Sequence, residues 1–155
     1  MPVKALLAPL LVAIAAACAP TPAPVSDDAV EPSAKGAGRI IGARVGVLEH
    51  VAACGEAFPR LRGELAVALE HWRWRNEPLV ARVRERFLAS LAADAERRWF
   101  EATLAGIATD LRASFSARPD PEAFCRRLVG LVDTGREDVG FKYRADLDAW
   151  LGPGG

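Results

Sequence analysis

The chain has 155 residues with 20 basic and 20 acidic side chains, so it is formally neutral and of a length that suits one domain. A neutral balance gives no electrostatic reason to expect nucleic acid or anionic lipid as the main partner, and no nucleic-acid role is predicted. The cysteines are three, Cys18, Cys54 and Cys125, and an odd count in an exported protein needs an explanation for the odd member.

Met1–Lys4 carries one positive charge, Ala5–Ala17 is apolar apart from Pro9, and Ala15, Ala16 and Ala17 are small residues that a processing peptidase accepts. This is the layout of a secretory signal over residues 1–17. The apolar run is shorter than the roughly 20 residues of a membrane-spanning helix. Cys18 follows at once, and then Ala19-Pro20-Thr21-Pro22-Ala23-Pro24. With small residues before a cysteine, an apolar run before those and a Pro/Ala-rich stretch after it, residues 1–35 resemble a bacterial lipoprotein precursor. The resemblance implies that Cys18 is acylated, becomes the mature N-terminus and anchors the protein stably to a membrane facing the periplasm. Ala15 stands where that class usually has Leu, so an ordinary signal cut at Ala17 or Ala19 is the alternative. Ala19 stands where Asp would retain such a lipoprotein in the inner membrane, which implies the outer membrane.

Residues 18–37 are rich in Pro, Ala, Ser and acids. They cannot bury enough surface to offset their ordering entropy, so a mobile tether is predicted. The domain is expected over 38–155. Its first helix, Arg39–Cys54, places Ile41, Val45, Leu48 and Ala52 on one face. Gly42 and Gly46 each cost about 1 kcal/mol against Ala there, which a close helix crossing would explain.

Pro59–Asn76 is the clearest element. Leu61, Leu65, Ala68, Leu69 and Trp72 recur at helical spacing on one face. Gly63, Val67 and Trp74 form a weaker stripe roughly opposite, which predicts a central helix between neighbours. Asn76-Glu77-Pro78 is expected to end it, with Asn capping and Pro blocking continuation. Leu79–Ala117 follows. Val80, Val83, Phe87 and Leu91 define one stripe, and Phe100, Leu104, Ile107, Leu111 and Phe115 another, rotated by roughly 200° if about 100° per residue runs unbroken. Either the helix breaks near Ala92–Asp94 or its halves bury opposite faces. With no strong breaker present, one continuous or merely kinked helix is predicted.

Asp120-Pro121-Glu122 is a helix start of cap, proline and acid. Phe124, Leu128, Leu131 and Val132 give this helix its stripe, and Gly135 ends it. A last amphipathic stretch carries Tyr143, Leu147, Trp150 and Leu151. No stretch alternates as a strand would, so the predicted class is all-α, a single bundle-like domain of four to five helices. With Cys18 taken by the lipid, Cys54 and Cys125 are the remaining thiols of an exported domain and are expected to pair.

Candidate chemistry is sparse. Glu49-His50 and Glu70-His71 are adjacent pairs whose members point about 100° apart on a helix. Only both pairs together could close a metal site, so a metal-dependent or hydrolytic enzyme using His50 and His71 is a rival reading. The Gly-x-Ser-x-Gly elbow and strand-linked phosphate loops are missing from the sequence. No metal or cofactor is predicted. Arg73, Arg75, Arg82, Arg84 and Arg86 gather around the Asn76-Glu77-Pro78 turn with Trp74 among them, and Trp and Arg are common interface anchors, so Trp74, Arg73, Arg75, Arg82 and Arg86 are the candidate partner surface. The sequence thus reads as a cell-envelope lipoprotein whose helical domain binds another envelope protein. A carrier of apolar ligands is a further alternative, which a pocket lined by Trp72, Trp99 and Phe100 would favour.

Overall fold

The computed structural model describes residues 32–152 and 154. The predicted signal, Cys18 and the tether up to residue 31 lie outside the described residues. All six α-helices among the described residues belong to one unit: α1 Pro32–Ala57, α2 Arg62–Ser90, α3 Asp94–Ser116, α4 Pro121–Asp133, α5 Val139–Lys142 and α6 Arg144–Leu151. A 3-10 turn at Pro59–Leu61 leads into α2. The described residues contain no strand, so the all-α expectation is met by five helices plus the one-turn α5.

Two helices share the centre: α2 packs against α1, α4, α5 and α6, and α1 packs against α2, α3, α4 and α6. Ala37, Ile40, Ile41, Val47, Val51 and Cys54 are buried along α1 at spacings of three or four or their sums. The predicted stripe holds only at Ile41; Val45 and Leu48 are half-buried and Ala52 is exposed. The helix also starts at Pro32 rather than Arg39, and Ala37, assigned above to the tether, has no exposed surface. Gly42 and Gly46 mark no crossing, since an added Cβ would meet nothing within 4 Å at either. Gly36 does mark one. A Cβ there would lie 2.7 Å from Asp146 Oδ1, and Asp146 of α6 also receives Arg39 at 2.7 Å and 3.1 Å.

Pro78 does not end α2. Leu65, Ala68, Trp72, Asn76, Val80, Val83 and Phe87 are buried in one unbroken stripe on both sides of the proline. Continuing that stripe against α1 outweighs the one backbone hydrogen bond that Pro78 removes, whose orphaned acceptor is the Trp74 carbonyl. Pro78 and Trp74 are both exposed, a side of the helix where water can serve that carbonyl. The second stripe of α2 is largely open to solvent, with Val67 53% and Trp74 82% exposed, and Gly63 and Val67 only edge a groove toward α4.

The chain breaks instead at 91–93, between α2 and α3. Leu91 and Ala93 are extended, and the Glu96 carboxylate accepts the Ala93 N–H at 3.1 Å at the start of α3. The predicted continuous helix is therefore wrong, and the phase jump gives the reason. Phe87 and Phe100 belong to stripes roughly 200° apart on an unbroken helix, yet their rings meet edge to face at 4.8 Å. Only a break lets both turn inward.

Asp120 caps α4 by accepting the Ala123 N–H at 2.9 Å. Cys125, Leu128 and Val132 are buried on this helix, whereas the predicted core residue Leu131 is 40% exposed. Gly135 follows the helix end at φ 78°, as a C-terminal glycine should. Cys54 and Cys125 form a disulfide with Cα atoms 5.5 Å apart, joining the end of α1 to the start of α4. Closing a loop across a separation of 71 residues stabilises by about 4 kcal/mol on the chain-entropy model.

Candidate functional site: the outer face of α2

The stretch Trp72–Asn76 of α2 divides its side chains between core and solvent. Trp72 is fully buried, and its Nε1 donates to the Glu137 carbonyl at 2.9 Å. Arg75 turns toward the same loop. Its guanidinium donates to both Asp138 oxygens, at 2.7 and 3.2 Å, and to the Val132 carbonyl at 2.7 Å. Asn76 is the buried polar residue of the core. Its amide donates to the Trp72 carbonyl and Asp138 Oδ1, and its Oδ1 accepts the Val139 N–H, all at 2.8 Å. The residue read from sequence as a helix cap is therefore a tertiary tie placed mid-helix.

This division sorts the predicted basic–aromatic cluster. Arg75 is a structural residue held by Asp138, and Arg86 donates to the Trp150 carbonyl. Neither is available as a partner contact. Arg73 and Arg82 are exposed and form no ion pair among the described residues. With Trp74 they are what remains of the predicted surface. Arg84, on the next turn, is held by Glu101 of α3 at 2.6 Å.

Beside Trp74 lies a groove that the sequence did not announce. Gly63, Val67, Ala68 and His71 of α2 face Val129 and Asp133 of α4 across about 540 Å³. A smaller hollow of about 440 Å³ over Glu70, His71, Trp74 and Arg75 shares His71 with it. Val67, His71 and Trp74 are spaced four and three apart, so one helix face presents an apolar step, an imidazole and an indole in line. His71 Nδ1 meets Asp133 Oδ1 at 2.8 Å and braces the groove floor between the two helices.

The second candidate set is not assembled. His71 is engaged by Asp133, and Glu49 by Arg112 of α3. His50 lies edge-on to the Phe124 ring at 5.1 Å. Among the described residues no cluster of three or more His, Cys, Asp or Glu side chains could hold a metal ion. His50 is nevertheless unusual. Its Nε2 is buried with no hydrogen-bond partner, beside a cavity of about 170 Å³ that Glu137, Lys142 and Tyr143 help to line. Burial first, and then the Arg118 guanidinium, push its pKa below the ordinary imidazole value.

Trp72 is fully buried and does not share a cleft with Trp99 and Phe100. Trp99 and Phe100 line one of about 520 Å³ together with Ala34, Phe87, Leu91, Ala95 and Glu96. A groove of about 680 Å³ between α1, α2 and α3 is lined by the apolar Ile41, Val45 and Val80. It is rimmed by the Arg44–Glu77 and Arg84–Glu101 pairs, which fix its walls.

No protein-family model, curated protein or solved structure matches this chain.

Proposed function

We propose that the protein is a cell-envelope lipoprotein, anchored through Cys18 and facing the periplasm from the outer membrane, whose helical domain docks another envelope protein on the outer face of α2. The observation that carries the docking site is Trp74. A tryptophan 82% exposed on a helix of buried stripes has no folding role to explain it. On the same helix Arg73 and Arg82 are exposed and make no ion pair among the described residues, and the Val67–His71 groove lies on the Trp74 face. Glu64, Glu70 and Asp133 line the groove and the hollow that shares His71 with it, so such a surface suits a segment whose apolar anchor fills the groove and whose carboxylates reach Arg73 and Arg82 clear of those acids. The disulfide and the Asn76–Asp138 tie keep the face rigid, which lowers the ordering cost of binding.

Two experiments test the two halves separately. Metabolic labelling with a fatty acid should mark the wild-type protein, and Cys18→Ala should abolish the label and release the chain into the periplasmic fraction. An unlabelled wild-type protein contradicts the anchor. Affinity capture from envelope extract should retain a discrete partner that Trp74→Ala loses and Leu131→Ala keeps. Both variants should unfold within about 0.5 kcal/mol of wild type, as exposed substitutions do. Equal capture by Trp74→Ala contradicts the docking site.

A further inference from the structure

The cleft at Trp99 belongs to a different part of the surface from Trp74. Phe87, Leu91 and Phe100 line it, with Ala34 of α1. The Phe87 ring is locked edge to face against both Phe100, at 4.8 Å, and Trp150, at 6.1 Å. Trp99 is 70% exposed at the cleft. The one charged group lining it is Glu96, whose carboxylate is engaged with the Ala93 N–H. Unlike the groove between α1, α2 and α3, this cleft is lined by no ion-paired residue, so an apolar occupant would not have to desolvate a pair.

We propose that the Trp99 cleft is the face on which the domain rests against a phospholipid bilayer, with the indole at the headgroup level and the cleft receiving acyl-chain carbons. The choice of a bilayer over another occupant rests on the reading of Cys18 as the anchor, and on where the chain enters. Ala34 lies in the first turn of α1, so the cleft sits at the end of α1 where the described residues begin. Cys18 through Glu31 is 14 residues. That length spans at most about 50 Å fully extended and about 20 Å as the root-mean-square reach of a coil. An acylated Cys18 therefore holds the Trp99 end of the domain near the bilayer at an effective concentration on the order of millimolar, where a weak contact is enough. Tryptophan suits the bilayer interface because its ring is apolar and its N–H finds a polar partner there. Lys35 and Arg98, the sequence neighbours of Ala34 and Trp99, are exposed and unpaired among the described residues, and can meet lipid phosphates. The chain as a whole is neutral, so the attraction is aromatic and apolar and depends little on salt.

The test uses the mature chain from residue 18 with Cys18→Ser, which carries no lipid, and vesicles of palmitoyl-oleoyl phosphatidylcholine with or without brominated acyl chains. The brominated vesicles should quench part of the tryptophan emission. That quenching should persist in Trp74→Phe and fall sharply in Trp99→Phe, leaving only the share of Trp150, whose ring packs on Phe87 of the cleft. Trp99→Ala should lower vesicle partitioning by about tenfold, the scale of losing one inserted aromatic group. Helical circular dichroism of each variant, matched to the parent, separates a lost lipid contact from a lost fold. No partitioning of the parent, or quenching undiminished in Trp99→Phe, overturns the proposal. The fatty-acid label on Cys18 is read independently. A labelled chain whose domain ignores vesicles sinks this inference alone, while an unlabelled chain with Trp99-dependent quenching sinks the anchor and keeps the lipid face.

Discussion

Asn76 donates to Asp138 Oδ1 at 2.8 Å, and through that contact α2 is tied to the loop between α4 and α5. Asp138 in turn receives the Arg75 guanidinium, and Trp72 holds the neighbouring Glu137 carbonyl. Asn76→Leu keeps the volume but strands the Val139 N–H, a buried donor, at a cost of about 1–3 kcal/mol. Urea unfolding should show that loss. It should also show Asp138→Ala and Asn76→Leu together costing less than their sum, because the two share one network. Additive costs would mean that the two residues act separately.

The glycines of α1 make opposite predictions. Gly36→Ala pushes a methyl group to 2.7 Å from Asp146 Oδ1, and so disturbs the α1–α6 crossing and the Arg39–Asp146 pair. A loss of about 1–3 kcal/mol is expected, as for an overpacked site. Gly42→Ala meets open space in a helix interior and should stabilise by about 0.5–1 kcal/mol. Thermal melts of the two variants check the pair. A stabilised Gly36→Ala would show that the crossing is looser than described.

His50 should make stability depend on pH. Its folded pKa lies below the unfolded value because burial, then Arg118, disfavours the charged ring. The sign follows: between the folded pKa and about 6.5 the unfolded chain binds more protons, so stability falls as pH drops through that window and is fully present above it. Wild-type protein should therefore lose more stability than His50→Gln between about pH 7.5 and pH 5, read by urea midpoints. Parallel pH profiles for the two would contradict a neutral, buried His50.

Much of the fold was legible where local periodicity and packing agree. Trp72 buried and Trp74 exposed follow from their angular separation on one helix, and both sit as that geometry requires. The start of α4 at Asp120-Pro121-Glu122 and its glycine end were equally local signals. The continuation of α2 through Pro78 was not legible from the breaker residues. It was present in the phase of the stripe, since Trp72, Asn76, Val80 and Val83 keep one face if a buried Asn is allowed. The break before α3 was also in the phase, and Asp94 and Glu96 gave a helix start that went unread. What no local pattern could show is contact between distant segments. Gly36 matters only once α6 lies on α1, and Arg75 leaves the docking surface only because Asp138 is there to receive it. The groove beside Trp74 is likewise made by two helices, and no single stretch contains it.

The central claim is that the outer face of α2 receives a partner in the envelope. A photoreactive phenylalanine analogue placed at Trp74 in the full-length chain, and irradiated in intact cells, tests it most directly. The account predicts one discrete higher-mass adduct that disappears when Arg73→Glu is added, and no such adduct from the same analogue at Leu131, which is also exposed but lies on α4. No adduct from position 74, or the same adduct from position 131, would contradict it.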